Sequence, residues 1–237
     1  MTTLEPLLTL QARDIALDRL RHRRDTLAER STLADAEARV GAVQRELEQV
    51  RAARDESLAH ERRLDDEAQT LAAQATGAER RLYSGEIASP RELQALQADI
   101  EQLRGRQHEI EDRQLATMER REPFDEQVGG LGRQLHEANA AVLAASDALA
   151  AAEAAVDDEA AVERAARDDA VAGIDSGLLS DYEQRRVKAN GVGAARLVGN
   201  TCQGCHLTIP ATEVDRIRHE PVGTVSYCDN CGCILVP

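Results

Sequence analysis

Apolar residues spaced alternately three and four apart run through most of this chain, and no other feature restricts its fold as much. Val128, Leu131, Leu135, Ala138, Val142, Ala145, Leu149, Ala152 and Val156 step in this way without a gap. Leu33, Ala36, Val40, Val43, Leu47 and Val50 do the same, and Leu64, Ala68, Leu71, Ala75, Ala78 and Leu82 continue their register. A mean step of 3.5 keeps one stripe of a helix facing a partner helix, which is the signature of a coiled coil. Arg54, Ser57 and Glu61 fall on the stripe between the two runs, so the coil is expected to be weak there. The earlier run Leu10, Leu17, Leu20 and Leu27 is offset from the later register, which implies a local skip.

Residues 4–82 contain no proline after Pro6 and read as one very long helix. The stretch Y-S-G-E-I-A-S-P-R-E-L then stops it and starts another. Gly85 is the expected stop, while Ser89, Pro90 and Glu92 supply an N-cap, a first-turn proline and a capping-box glutamate. So short a turn sends the second helix back along the first. Leu93, Leu96, Ile100, Leu103 and Ile110 begin its seam. Pro123 cannot donate to the carbonyl of Glu119, and Gly129, Gly130 and Gly132 weaken the helix further, so a kink or short break is expected near residues 122–132. Residues 138–172 are rich in alanine, which favours helix but buries little apolar area.

Composition agrees with this reading. Hydrophobic residues make up 42% of the 237, yet aromatics are only 2%, fewer than a globular core of this size would use. The net charge is −14, but residues 178–237 hold six acidic and six basic side chains, so the excess lies upstream. An acidic upstream region repels nucleic acid, so such a partner would have to be met elsewhere. The start of the sequence shows no basic, apolar signal pattern, and no run approaches the ~18 apolar residues of a membrane span. A cytoplasmic protein with reduced thiols is the expectation.

All five cysteines lie near the end. Cys202 and Cys205 form one C-x2-C knuckle, Cys228 and Cys231 another, with 22 residues between them. Two such knuckles match a tetrahedral, all-cysteine site for one structural Zn2+. Cys202 to His206 alone spells C-x2-C-H, but haem attachment would leave the second knuckle unexplained. A thioredoxin-like pair would need a βαβ context, and paired disulfides a secreted domain. Around the knuckles, Ser180 with Glu183 forms a second capping box, and Asn190 and Gly191 end that short helix. A-A-R-L-V, T-V-S-Y-C and C-I-L-V read as ribbon strands, and residues 210–218 as a helical turn. The fold class expected is mainly α: a long antiparallel coiled-coil hairpin over residues 1–174, then a linking helix and small β zinc ribbon over 175–237.

The tip Y-S-G-E-I-A-S-P-R-E-L-Q-A-L, the knuckle C-Q-G-C-H-L-T-I-P and the closing C-D-N-C-G-C-I-L resemble the bacterial C4-type zinc-ribbon proteins with an N-terminal coiled-coil hairpin. The resemblance implies the same architecture and an adaptor role in nucleic-acid binding or regulation. It carries over Cys202, Cys205, Cys228 and Cys231 as zinc ligands. The family usually has an arginine after C-x2-C-G, where this chain has Cys233.

Two functions remain, an adaptor for nucleic acid or the transcription machinery and a purely structural scaffold whose coil docks protein partners. An enzyme is not expected. No nucleophile–base pair or phosphate loop stands out, and His22, His60, His108, His136, His206 and His219 form no cluster. Nucleic acid, if bound, is expected as single strands at Arg185, Arg186, Lys188 and Arg196, between hairpin and ribbon. Cys233 reads first as a buried small residue and second as a spare ligand or redox-sensitive thiol.

Overall fold

The computed structural model describes residues 4–221 and 223–237. In chain order these form α1 (Glu5–Asp25), α2 (Ala28–Leu82), α3 (Pro90–Val171), α4 (Ser176–Lys188), β1 (Ala194–Val198), β2 (Thr201–Cys202), α5 (Ala211–His219), β3 (Ser226–Tyr227) and β4 (Ile234–Val236). The fold is a long helical hairpin followed by a small C-terminal ribbon. It divides into two compact units, Thr32–Ala145 and the combination of Met1–Ser31 with Ser146–Pro237.

In the unit Thr32–Ala145, α2 and α3 meet along the seam that the heptads predict. Val43 and Leu47 pack on Leu131, flanked by Val50, Val128 and Leu135. Further along, Leu64 and Ala68 pack on Ile110 beside Leu71. The polar interval between these clusters is filled rather than left loose. Glu61 Oε2 lies 3.4 Å from Arg121 Nε, and Thr117 beside them is 4% exposed, its hydroxyl donating to the Arg113 carbonyl. A charged layer inside a seam costs stability but penalises every register that separates the pair. Gly85, at φ +77°, adopts a left-handed conformation in the turn just past the end of α2 at Leu82, and Pro90 opens α3.

Of the kink or short break expected near residues 122–132, the break does not occur. Helix α3 runs unbroken through Pro123 and all three glycines. Proline removes one backbone bond at a cost of about 3 kcal/mol, and tertiary packing on both sides outweighs it. The Arg121–Glu61 pair lies just before Pro123, and Leu131 against Val43 and Leu47 just after.

A break does occur where residues 4–82 read as one helix. In the unit that contains the ribbon, α1 ends at Asp25 and α2 begins at Ala28. Thr26 bonds back to the His22 carbonyl through both its N–H and its hydroxyl, and Arg30 Nε donates to the Arg24 carbonyl. This interruption absorbs the register offset seen in the sequence. The reason for the offset is that α1 serves a different core. Leu4, Leu7 and Leu10 pack with Tyr182, Ala194, Ile234 and Val236 of α4 and the ribbon. Each fully buried leucine of this kind contributes about 1.5–3 kcal/mol. Where alanine leaves little area to bury, ion pairs line the helices: Arg13 with Glu163 at 3.2 Å, Arg23 with Glu159 at 2.9 Å, Arg24 with Asp157 at 3.0 Å, and Arg30 with Glu153. Surface pairs such as these set register more than they stabilise. By length and composition alone, α3 also contains a window apolar enough to cross a membrane. Alanine, which supplies hydropathy without bulk, makes up most of the apolar stretch of α3.

The cap of α4 differs from the expected Ser180–Glu183 box. Asp175 is the N-cap, accepting from Gly177 N at 2.9 Å and Leu178 N at 3.3 Å, and Ser180 lies inside the helix. The ribbon has four strands in the order β2-β1-β4-β3. β1 and β4 pair in parallel, while β2 and β3 add antiparallel at the two edges. The short β2 is an addition to the three strands expected.

Candidate metal centre

Both knuckles are built by the same local device. The Cys202 carbonyl accepts from His206 N at 2.8 Å, and the Cys228 carbonyl accepts from Gly232 N at 2.7 Å. The residue closing each turn is left-handed, His206 at φ +59° and Gly232 at φ +77°. His206 is therefore the exposed closing residue of a turn, and the four cysteines complete the donor set without it. Close packing behind the first knuckle needs Gly204, since a Cβ there would stand 2.9 Å from Val192 Cγ1 and 3.0 Å from Ala195 Cβ.

The four predicted sulfurs converge. The Sγ atoms of Cys202, Cys205, Cys228 and Cys231 all lie within 4.8 Å of one another. Cys205 and Cys228 are 3.8 Å apart, Cys202 and Cys231 4.0 Å. A tetrahedron with Zn–S bonds of ~2.3 Å has S–S edges of ~3.8 Å, so the set fits one zinc ion. Cys202 and Cys228 are buried, Cys205 and Cys231 half-buried. Burial pushes the Cys231 thiol up to about 12 and Cys233 higher still. A bound Zn2+ supplies the charge that reverses this for its ligands, which deprotonate on coordination. With four sulfurs and no open position, the site does structural work. It closes a core of Ala195, Leu197, Ile209, Val214, Ile217 and Leu235.

The fifth sulfur stands beside this set. Cys233 is fully buried, with Sγ 3.7 Å from Cys202 Sγ and 3.4 Å from Cys231 Sγ. Its carbonyl accepts from Cys228 N at 2.9 Å, so its backbone ties the knuckle to β4.

The four candidate nucleic-acid contacts have unequal surroundings. Arg186 reaches Asp18 at 2.8 Å and Asp14 at 3.6 Å and is mostly buried. Arg196 pairs with Glu5 at 2.8 Å. Arg185 pairs with Asp181 at 3.2 Å and lies 4.0 Å over the Tyr227 ring, whose hydroxyl donates to Asp181. Of these four, Lys188 is the one exposed with no ion pair to a described residue.

A polar latch that the sequence did not disclose joins α1, α3, α4 and the ribbon. Tyr182, fully buried, donates to Asp14 Oδ2 at 2.6 Å, and Arg167 Nε donates to Asp14 Oδ1 at 2.7 Å. Gln11 Oε1 accepts from Gly193 N at 2.6 Å and Ala194 N at 3.1 Å, and its Nε2 donates to the Gly191 carbonyl. Burial, and then the Asp14 carboxylate, holds the Tyr182 hydroxyl well above its ordinary range. The only sequence signal was spacing: Leu7, Gln11 and Asp14 share one helical face, with two polar residues where a seam would be apolar.

Residues 10–190 match the CT398-like coiled coil hairpin domain, and residues 201–235 the C4-type zinc ribbon domain. Uncharacterized protein Rv2229c of Mycobacterium tuberculosis is 29% identical over 230 residues, 97% of this chain and 93% of the relative. A solved structure from Mycobacterium smegmatis superposes with a TM-score of 0.89 at 28% identity, covering 100% of this chain and 99% of that one. CT398 from Chlamydia trachomatis gives 0.72 at 17% identity, covering 98% and 96%, a likeness of fold alone.

Proposed function

The chain belongs to the CT398-like coiled-coil hairpin family and ends in a C4-type zinc ribbon, and from that premise we propose that it is a zinc-folded adaptor whose hairpin docks a protein partner. One observation carries the reading: the hairpin presents large apolar side chains to solvent away from its seam. Tyr83, at the end of α2, is 83% exposed in a chain with only four aromatic residues, and Leu115 and Met118 stand 59% and 41% exposed on α3. Both helices already have apolar partners along the seam, so these residues are surplus to folding. Exposed Tyr and Met are the residue types that recur at protein interfaces.

A second reading is nucleic-acid contact at the joint, favoured by exposed Lys188 and by the Arg185–Tyr227 stack. Ion pairs engage three of the four cations, so few phosphates would be held. At roughly −0.7 in log–log salt slope per phosphate on a single strand, one or two contacts give about −1.

The experiment is affinity capture from the source lysate after nuclease, comparing the unaltered chain with Tyr83→Ser, Leu115→Ser/Met118→Ser and Lys188→Glu. The docking reading expects a saturable protein partner that survives nuclease, binds Lys188→Glu normally and is lost with the apolar variants. Loss of every partner on nuclease treatment, with Lys188→Glu abolishing single-strand binding at low salt, would replace it with the second reading. Arg186 is unsuitable for charge reversal, because a glutamate there would face Asp14 and Asp18.

A further inference from the structure

The zinc tetrahedron leaves Cys233 unused, yet its sulfur is not placed as idle core. It touches Cys231 Sγ at 3.4 Å, less than the ~3.8 Å edge of a ZnS4 tetrahedron. At that spacing the two sulfurs are a contact pair, and a small approach brings them to the ~2.05 Å of a disulfide. They differ in access: Cys231 is half-buried, whereas Cys233 lies wholly behind it. The left-handed Gly232 forms the turn between them. An Arg185 guanidinium nitrogen lies 4.0 Å from where a Gly232 Cβ would stand, which puts a cation beside the knuckle.

We infer that Cys231 and Cys233 form an oxidisable dithiol site that takes a peroxide as its oxidant and releases the zinc when it closes. The Cys231 thiolate attacks one oxygen of hydrogen peroxide. The O–O bond breaks, hydroxide leaves, and Cys231 carries a sulfenic acid. Cys233 Sγ then attacks the Cys231 sulfur, the S–O bond breaks, and the departing hydroxide takes the Cys233 proton as water. One thiolate, one thiol and one hydrogen peroxide become one disulfide, one water and one hydroxide, with both electrons ending on the peroxide oxygens. With Cys231 consumed, only Cys202, Cys205 and Cys228 would be left to hold the ion, and their grip would be too weak to retain it.

Other pairings are possible by distance alone. Cys233 also has Cys202 at 3.7 Å, but Cys202 is fully buried and out of peroxide's reach, whereas Cys231 is half-buried. The remaining contacts join two ligands, Cys205 with Cys228 at 3.8 Å and Cys231 with Cys202 at 4.0 Å. Each of those would have to break two Zn–S bonds to form one disulfide. Cys233 is closer and holds no metal, so its attack breaks only the bond that Cys231 surrenders. A free thiol in contact with a ligand thiolate is the arrangement of an attacking and a resolving cysteine.

The test uses the zinc-loaded full chain treated with hydrogen peroxide, with zinc release followed by a chromogenic chelator. Bridges are mapped by peptide mass spectrometry when half the zinc has left. The unaltered chain is expected to show a Cys231–Cys233 bridge at that time and to regain zinc after reduction by a thiol. Cys233→Ala is expected to release zinc at least about tenfold more slowly, because the positioned resolving thiol is lost, and to accumulate over-oxidised Cys231. Cys233→Ser repeats the comparison with a polar isostere. Equal release rates in the unaltered chain and either variant, or a first bridge at Cys205–Cys228, Cys202–Cys231 or Cys202–Cys233, would overturn the inference. Should neither variant hold zinc, the bridge map of the unaltered chain decides alone.

Discussion

Replacing Asp14 probes the latch that joins the first helix to the ribbon. Asp14 is 1% exposed and accepts from Tyr182 at 2.6 Å and Arg167 at 2.7 Å, with Arg186 at 3.6 Å. Breaking a buried charge pair from one side costs about 3–5 kcal/mol, and a stranded buried hydroxyl accounts for about 1–3 of that. Arg167 keeps Glu183 and Arg186 keeps Asp18, so the lower end applies, about 3 kcal/mol. At roughly 3–5 °C per kcal/mol for a unit of this size, Asp14→Ala should lower its melting temperature by about 10–15 °C. Asp14→Asn keeps an acceptor for Tyr182 and should fall between the two. The chain has two compact units, so one global melt is not the readout. Near-ultraviolet dichroism is, because Tyr182 is the buried tyrosine while Tyr83 and Tyr227 are exposed, and the chain has no tryptophan. A near-ultraviolet melt of Asp14→Ala within about 2 °C of the unaltered chain would refute the reasoning.

Three further outcomes follow from the same contacts. The raised Tyr182 pKa means that above pH 10.0, its ordinary value, the unfolded chain loses a proton that the folded chain keeps. Stability of this unit should therefore fall as pH rises past that point, and Tyr182→Phe should flatten the fall while costing about 1.5–3 kcal/mol at neutral pH; an unchanged alkaline profile would count against it. In the other unit, Arg121→Leu alone should destabilise by leaving Glu61 unpaired, whereas Glu61→Leu with Arg121→Leu should be neutral or stabilising by about 1–4 kcal/mol, and thermal melts in which the double change is the worse would contradict this. His206→Gly should leave zinc content unchanged, since His206 only closes a left-handed turn; metal loss would make it a ligand.

What the sequence disclosed was what local spacing encodes. Each C-x2-C knuckle needs only its own residues to form its turn, and each heptad run specifies its own stripe, so the metal set and the stripe residues Val43, Leu47 and Leu131 could be read directly, but not which of them meet. The latch could not, because Gln11 and Asp14 meet Gly193 and Tyr182 across more than 160 positions. Pro123 misled for the complementary reason. Its cost is local and visible, while the contacts that keep α3 helical through it belong to α2. Asp175 prevailed over Ser180 as a cap because the chain turns into α4 one helical turn earlier than the serine. The basic joint looked free in sequence because Asp14, Asp18 and Glu5, its counter-charges, come from the other end of the chain.

The most direct test is the zinc content of chain purified without chelator, measured beside far-ultraviolet dichroism before and after metal removal. One zinc per chain is expected, lost when Cys202, Cys205, Cys228 or Cys231 is replaced by serine. Its removal should abolish the ribbon's structure while the helices of Thr32–Ala145, which have their own apolar clusters, keep their signal. Protein that contains no zinc, or a ribbon that stays folded once stripped of it, would contradict the account.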